Sequence, residues 1–241
     1  MKGAVFVFKE KEELANRFSE ALMERIAVTG NDRFDVAISG GSTPQIVFLA
    51  LAAKYAASPL WQKTHFWWVD ERMVPPDHPD SNFGIANRML ISKINLPEKN
   101  IHRIKGENEP YQEAKSYSQQ IKAEVPALDG RPVFDLIILG LGDDGHTASI
   151  FPDQMELLES ENICSVAHHP LTGQARVTLT GKQINHASEI CFLVTGTSKA
   201  ARLSEISQNG QKASMLPAAH IHPQNGILSW YCDAAAVELL S

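Results

Sequence analysis

Short apolar runs alternate with amphipathic stretches along nearly the whole chain, and this alternation restricts the fold more than any other feature. Ala4–Phe8, Phe34–Ile38, Thr64–Val69, Phe134–Leu139, Ile163–Ala167, Arg176–Leu179, Ile190–Thr195 and Ile227–Tyr231 read as strands. Phe134–Leu139 in particular reads as a buried parallel strand. Between them, Lys11–Ala27 places Leu14, Phe18, Leu22 and Ile26 on one helical stripe. Pro44–Tyr55, Phe83–Ile91, Tyr111–Glu124, Ser198–Ile206 and Ala234–Leu240 are the other predicted helices. Strands alternating with helices predict an α/β chain, a Rossmann-like doubly wound and mostly parallel sheet with helices on both faces. No linker composition or internal repeat interrupts the pattern, so residues 1–241 are expected to form one domain.

Ligands of open α/β sheets occupy the crevice beyond the carboxyl ends of the strands. The run Phe134–Leu139 ends in Gly140-Leu-Gly-Asp143-Asp144-Gly-His146, which delivers two carboxylates and an imidazole to that edge. With an ordinary pKa near ~6.5, His146 suits a general base, and Asp144 is placed to hold its other ring nitrogen. The same stretch fits the dinucleotide fingerprint G-x-G-x-x-G. Asp143 and Asp144 would set two negative charges beside a pyrophosphate, so a nicotinamide cofactor is not expected.

Ile38-Ser39-Gly40-Gly41-Ser42-Thr43-Pro44 runs from a strand into a helix. Adjacent glycines turn N–H groups toward an anion and the helix N-terminus adds favourable charge, a cradle suited to a monophosphate. No Gly-Lys-Ser/Thr follows, which removes the nucleoside-triphosphate loop. The plain alternative is an ordinary strand–helix turn. A second turn, Thr195-Gly-Thr-Ser-Lys199, puts a lysine at a helix N-terminus, where it opposes the dipole unless an anion lies between. Asp70-Glu71-Arg72 follows the third strand and opens the irregular segment Asp70–Ser81; its three charges are expected to face the same crevice. Arg72 could bind an anion through its planar fork, against the plainer reading of a solvated Glu–Arg pair. Ser198 lacks the second glycine of a hydrolase elbow.

The net charge of -6 argues against a nucleic-acid partner. Three cysteines without C-x-x-C spacing suit buried thiols in a reducing compartment. Ala4–Phe8 is too short for a signal-peptide core or a membrane span, so a cytoplasmic protein is expected. His168-His169 and His220-Ile-His222 lack completing carboxylates or cysteines, so no metal is expected. Trp67 and Trp68 are expected to fill core on both faces of their strand.

Taken together, Ser39-Gly-Gly-Ser-Thr-Pro44, Asp70-Glu-Arg72 with Ser81-Asn82, Gly140-x-Gly-x-Asp-Gly-His-Thr147, Arg176-Val-Thr-Leu-Thr180 and Thr195-Gly-x-x-Lys199 resemble the 6-phosphogluconolactonase family. That family is related to the glucosamine-6-phosphate isomerases, which resemble it in the Asp-Gly-His signature. The isomerases carry a glutamate five residues after the histidine and tend to an aromatic at the Arg72 position. Phe151 and Arg72 stand there in this chain and favour the lactonase. The resemblance implies hydrolysis of 6-phosphoglucono-δ-lactone to 6-phosphogluconate in the oxidative pentose phosphate route, without a cofactor. Expected catalytic residues are His146, Asp144, Arg72 and Asp70. Ser39, Gly40, Gly41, Ser42, Thr43, Arg176 and Lys199 are expected to bind the substrate and its phosphate. Expected partners are the sugar-phosphate lactone and, at most, a second copy in a weak homodimer. An amino-sugar phosphate isomerase and a sugar-phosphate sensor without turnover are the competing readings.

Overall fold

In the computed structural model, which describes residues 2–240, a seven-stranded sheet forms the centre. Its strands are β1 (Ala4–Phe8), β2 (Phe34–Ile38), β3 (Thr64–Trp68), β5 (Ile101–His102), β8 (Leu136–Leu139), β11 (Glu189–Val194) and β12 (Ile227–Asp233). Their order is β1-β12-β11-β8-β2-β3-β5, and every pairing is parallel. From β2 the chain winds outward through β3 and β5; it then returns to β8 and winds the other way. The reversal point lies between β2 and β8, where the crevice of a doubly wound sheet opens.

Helices cover both faces. Phe66 and Trp67 of β3 point to opposite sides. Phe66 meets Trp61 at a ring distance of 6.0 Å, beside α1 (Lys11–Val28), while Trp67 meets Tyr117 of α4 (Pro110–Glu124) at 5.9 Å. The Tyr117 hydroxyl accepts the Trp68 N–H at 2.8 Å and has the Trp68 and His102 carbonyls within reach of its single proton. Each fully buried indole contributes about 4–6 kcal/mol by area, as an upper bound. The predicted stripe of α1 holds: Leu14, Phe18, Leu22 and Ile26 are all buried.

Three sequence expectations need correction. Asp70–Arg72 is not irregular; it forms β4, which joins β10 (Ala175–Leu179) and β9 (Cys164–His168) in a small antiparallel sheet ordered β4-β10-β9. The chain leaves the large sheet at Val69, whose N–H donates to Ile38 and whose carbonyl accepts from Leu179. Ala234–Leu240 is a series of turns rather than a helix, because Asp233 takes the Ala236 N–H on both its carboxylate and its carbonyl. Finally, α2 (Ser42–Tyr55) starts two residues before Pro44.

A two-residue ribbon, β6 (Ala127–Leu128) with β7 (Arg131–Pro132), and the helices α3 (Asn82–Met89), α5 (Gly181–Ile184) and α6 (Ala200–Gln208) complete the elements. Cys164, Cys191 and Cys232 are free and buried. Among the described residues no helix is long and apolar enough to cross a membrane.

Candidate active site

Strands β2 and β8 deliver their C-terminal turns side by side. Together with the turn after β11 and the start of the small sheet, they enclose a cleft of about 240 Å³. Ser39, Gly40, Gly41, Ser42, Thr43, Asp70, Arg72, His146, Arg176 and Lys199 all line it. Asp144 is not among the lining residues but holds the imidazole from its own turn.

The turn after β8 is built to fix that ring. Gly142 N–H donates to the His146 carbonyl (2.8 Å), Gly145 N–H donates to the Gly142 carbonyl (3.0 Å) and Thr147 Oγ1 donates to the Gly140 carbonyl (2.9 Å). Asp144 Oδ1 accepts the His146 N–H at 3.0 Å and lies 2.6 Å from Nδ1. Gly142 must lack a side chain: a Cβ there would lie 2.6 Å from Asp144 Oδ1 and closer still to Nδ1 and Cε1 of the ring. Burial pushes the Asp144 carboxyl up, but the hydrogen bonds and charge of His146 outweigh it and hold the acid at about 2. An ionised carboxylate can only accept, so Nδ1 carries a proton, and in the neutral ring the free lone pair belongs to Nε2. Phe151, fully buried, lies under the imidazole at a ring distance of 4.9 Å.

On the β2 side, Gly41 takes φ +102° immediately before α2, a conformation that favours glycine. No side chain caps α2 and no acidic residue occupies its first turn, so its N-terminal N–H groups face the cleft without an internal anion. Thr43 is tied to Thr195 through a 2.7 Å hydroxyl contact, which joins the turns after β2 and β11. Ser39 lines the cleft but is buried, and its hydroxyl donates to the Ile138 carbonyl at 2.8 Å.

The small sheet supplies the guanidinium groups. Arg72 of β4 stands directly opposite Arg176 of β10. Like charges placed opposite each other repel, and Arg176 is buried as well. Burial first, then the Arg72 charge, pushes the Arg176 pKa below its ordinary value. Arg72 Nε, Arg176 Nε and Asn82 Oδ1 are buried without a hydrogen-bond partner among the described residues. Two adjacent guanidinium groups with spare donors make a site for an anion.

Asp70-Glu71-Arg72 does not point three charges one way. Strand alternation turns Asp70 and Arg72 to the cleft and buries Glu71 behind them. Glu71 accepts from the backbone N–H groups of Arg72, Asn82 and Phe83 and from the Ser81 hydroxyl, which pins the start of α3. Burial pushes this carboxyl up to about 7 against those donors. The solvated Glu–Arg pair is therefore absent. Ser149 links Asp70 Oδ2 (2.6 Å) to Arg176 Nη1 (3.4 Å), a role for which the sequence carried no signal. Asn82 packs its amide against Gly40, which could have been inferred only from its place after Ser81.

Lys199 has an internal counter-charge that the sequence reading lacked. Its ammonium lies 2.6 Å from Asp143 Oδ1, which holds that carboxyl below the ordinary range. Among the described residues no group of three or more His, Cys, Asp or Glu could hold a metal ion.

Comparison with known proteins gives a consistent picture. The family described as glucosamine-6-phosphate isomerases/6-phosphogluconolactonase matches residues 9–230. The 6-phosphogluconolactonase of Haemophilus influenzae is 46% identical over 211 residues, covering 87% of this chain and 89% of that protein. The human 6-phosphogluconolactonase is 35% identical over 247 residues, covering 99% and 94%. The solved structure of 6-phosphogluconolactonase from Trypanosoma cruzi superposes with a TM-score of 0.89 at 28% identity, covering 100% and 97%.

Proposed function

Because the chain belongs to the family of glucosamine-6-phosphate isomerases and 6-phosphogluconolactonases, we propose that it hydrolyses 6-phosphoglucono-δ-lactone to 6-phosphogluconate, with water activated by His146. The observation that carries this reading is the Asp144–His146 couple, 2.6 Å between Oδ1 and Nδ1, in a cleft shared with an uncapped helix start and two facing arginines.

The 6-phosphate sits on the Gly40–Thr43 turn, with Arg176 and Lys199 as its cations. Anchoring the far end of the sugar fixes the lactone carbonyl near the imidazole, so that attack becomes effectively intramolecular. Nε2 of His146 takes a proton from water as the oxygen adds to the carbonyl carbon. Asp144 stabilises the resulting imidazolium. Arg72 faces the charge that develops on the carbonyl oxygen. Collapse of the tetrahedral intermediate breaks the bond to the ring oxygen, which receives the imidazolium proton. The new carboxylic acid loses its proton to solvent. Asp70, fixed by Ser149, orients Arg176 and the ring hydroxyls.

Phe151 supports the lactonase over the isomerase, since a buried phenyl under His146 cannot exchange protons. The test is a pH-stat assay with freshly generated lactone, comparing the wild type with His146→Ala. The variant is expected to lose about 10²–10⁴-fold in kcat while still binding 6-phosphogluconate. Full turnover by the variant would remove the base from His146, and ammonia release from glucosamine 6-phosphate would replace the lactonase by the isomerase.

A further inference from the structure

Lys199 is placed to meet an anion in the cleft, yet Asp143 in the turn after β8 already holds it, Nζ to Oδ1 2.6 Å. The two partners sit in different surroundings: the Lys199 side chain is 21% exposed and that of Asp143 is 73% exposed. An exposed carboxylate is well solvated by itself and loses little when its partner leaves. The Lys199 side chain is the less solvated of the two, so its charge gains more from a counter-charge than the carboxylate does. The backbone of the turn is anchored independently, because Arg202 of α6 donates through Nε to the Asp143 carbonyl at 3.0 Å. The Asp143 side chain can therefore exchange partners without dismantling the loop that seats His146.

We propose that Asp143 is an internal stand-in for the substrate's phosphate: it holds Lys199 when no anion is bound and yields it to the incoming dianion. The inference rests on the reading of this cleft as a sugar-phosphate site. Each binding event breaks the Asp143–Lys199 pair and each release remakes it. Asp143 thus lowers the affinity for substrate and product alike and favours departure of the product. It acts through Lys199 and touches no reacting atom, so it is a positioning residue rather than a catalytic one.

Asp143→Asn keeps the side-chain shape and removes the charge. The measurements are KM and kcat for the lactone, and calorimetric titration with 6-phosphogluconate and with inorganic phosphate at low salt. KM and both dissociation constants are expected to fall together by about three- to tenfold, with kcat changing by less. In a Lys199→Ala background the same substitution should change affinity by less than about twofold. Unchanged or weaker binding by Asp143→Asn overturns the exchange. An equal gain without Lys199 also overturns it, since charge repulsion at a distance would then suffice. The titrations need no turnover. A wild type that fails to hydrolyse the lactone would sink the catalytic reading, while the phosphate titrations would still decide the exchange.

Discussion

Gly142→Ala is expected to slow turnover without removing a single atom of His146 or Asp144. The added methyl carbon would lie 2.6 Å from Asp144 Oδ1 and nearer still to the His146 ring, where ordinary contact needs about 3.5 Å. Imidazole and carboxylate must therefore move by about 1 Å, and their 2.6 Å hydrogen bond is broken or re-aimed. Displacement of a catalytic group by that amount costs about 10²-fold in rate, equivalent to about 2.7 kcal/mol of transition-state stabilisation. Gly142 is absent from the positive-φ glycines, so alanine is tolerated by the backbone. Overpacking should cost only about 1–3 kcal/mol of stability. The turns after β2 and β11, proposed to hold the phosphate, are untouched, so KM should change by less than about threefold. The pH-stat assay, corrected for spontaneous hydrolysis, reads kcat and KM; urea unfolding confirms a folded variant. A folded Gly142→Ala enzyme retaining kcat within about twofold would refute the claim that this ring position drives the reaction.

Two further outcomes follow from the carboxylates around the cleft. Asp144→Asn keeps the contact to Nδ1 but can present its amide donor, which favours the wrong tautomer of His146; kcat is expected to fall by about 10²–10⁴-fold with product affinity retained in titration. Glu71 has a folded pKa of about 7, above the ordinary carboxylate value, so its stabilising contribution is complete below about pH 4.3 and is lost as pH rises through 7. Glu71→Gln abolishes this titration but sets an amide donor against N–H groups. The stability advantage of wild type over Glu71→Gln in urea unfolding should therefore shrink by about 2–3 kcal/mol between pH 5 and pH 8. A constant difference would mean that the N–H donors, rather than burial, set this acid.

Much of this arrangement was legible because parallel strands declare themselves. Ala4–Phe8 and Phe34–Ile38 are read to the residue, since short, mostly apolar runs bounded by glycine or charge leave little freedom in their ends. The turns after Phe34–Ile38 and Phe134–Leu139 were recognisable as one site because both lie at strand ends. The small sheet was not. Asp70–Arg72 becomes a strand only through its partner Ala175–Leu179, more than a hundred residues away, and no local pattern reports that pairing. The same pairing decides that Glu71 turns inward and that Arg72 meets Arg176. The pairing of Lys199 with Asp143 is likewise a tertiary fact, invisible until two turns are brought together.

The free thiols offer an internal clock. Cys164 lies on β9 of the small sheet, and Cys191 and Cys232 lie on β11 and β12 of the large one; burial pushes all three up to about 12. An alkylating reagent meets neither access nor thiolate until the surrounding strands part, so its rate of incorporation counts backbone openings. Matching rates at the three positions would mean that both sheets come apart in one concerted event; a faster Cys164 would mean that the arginine-bearing wall of the cleft loosens while the central sheet stays closed.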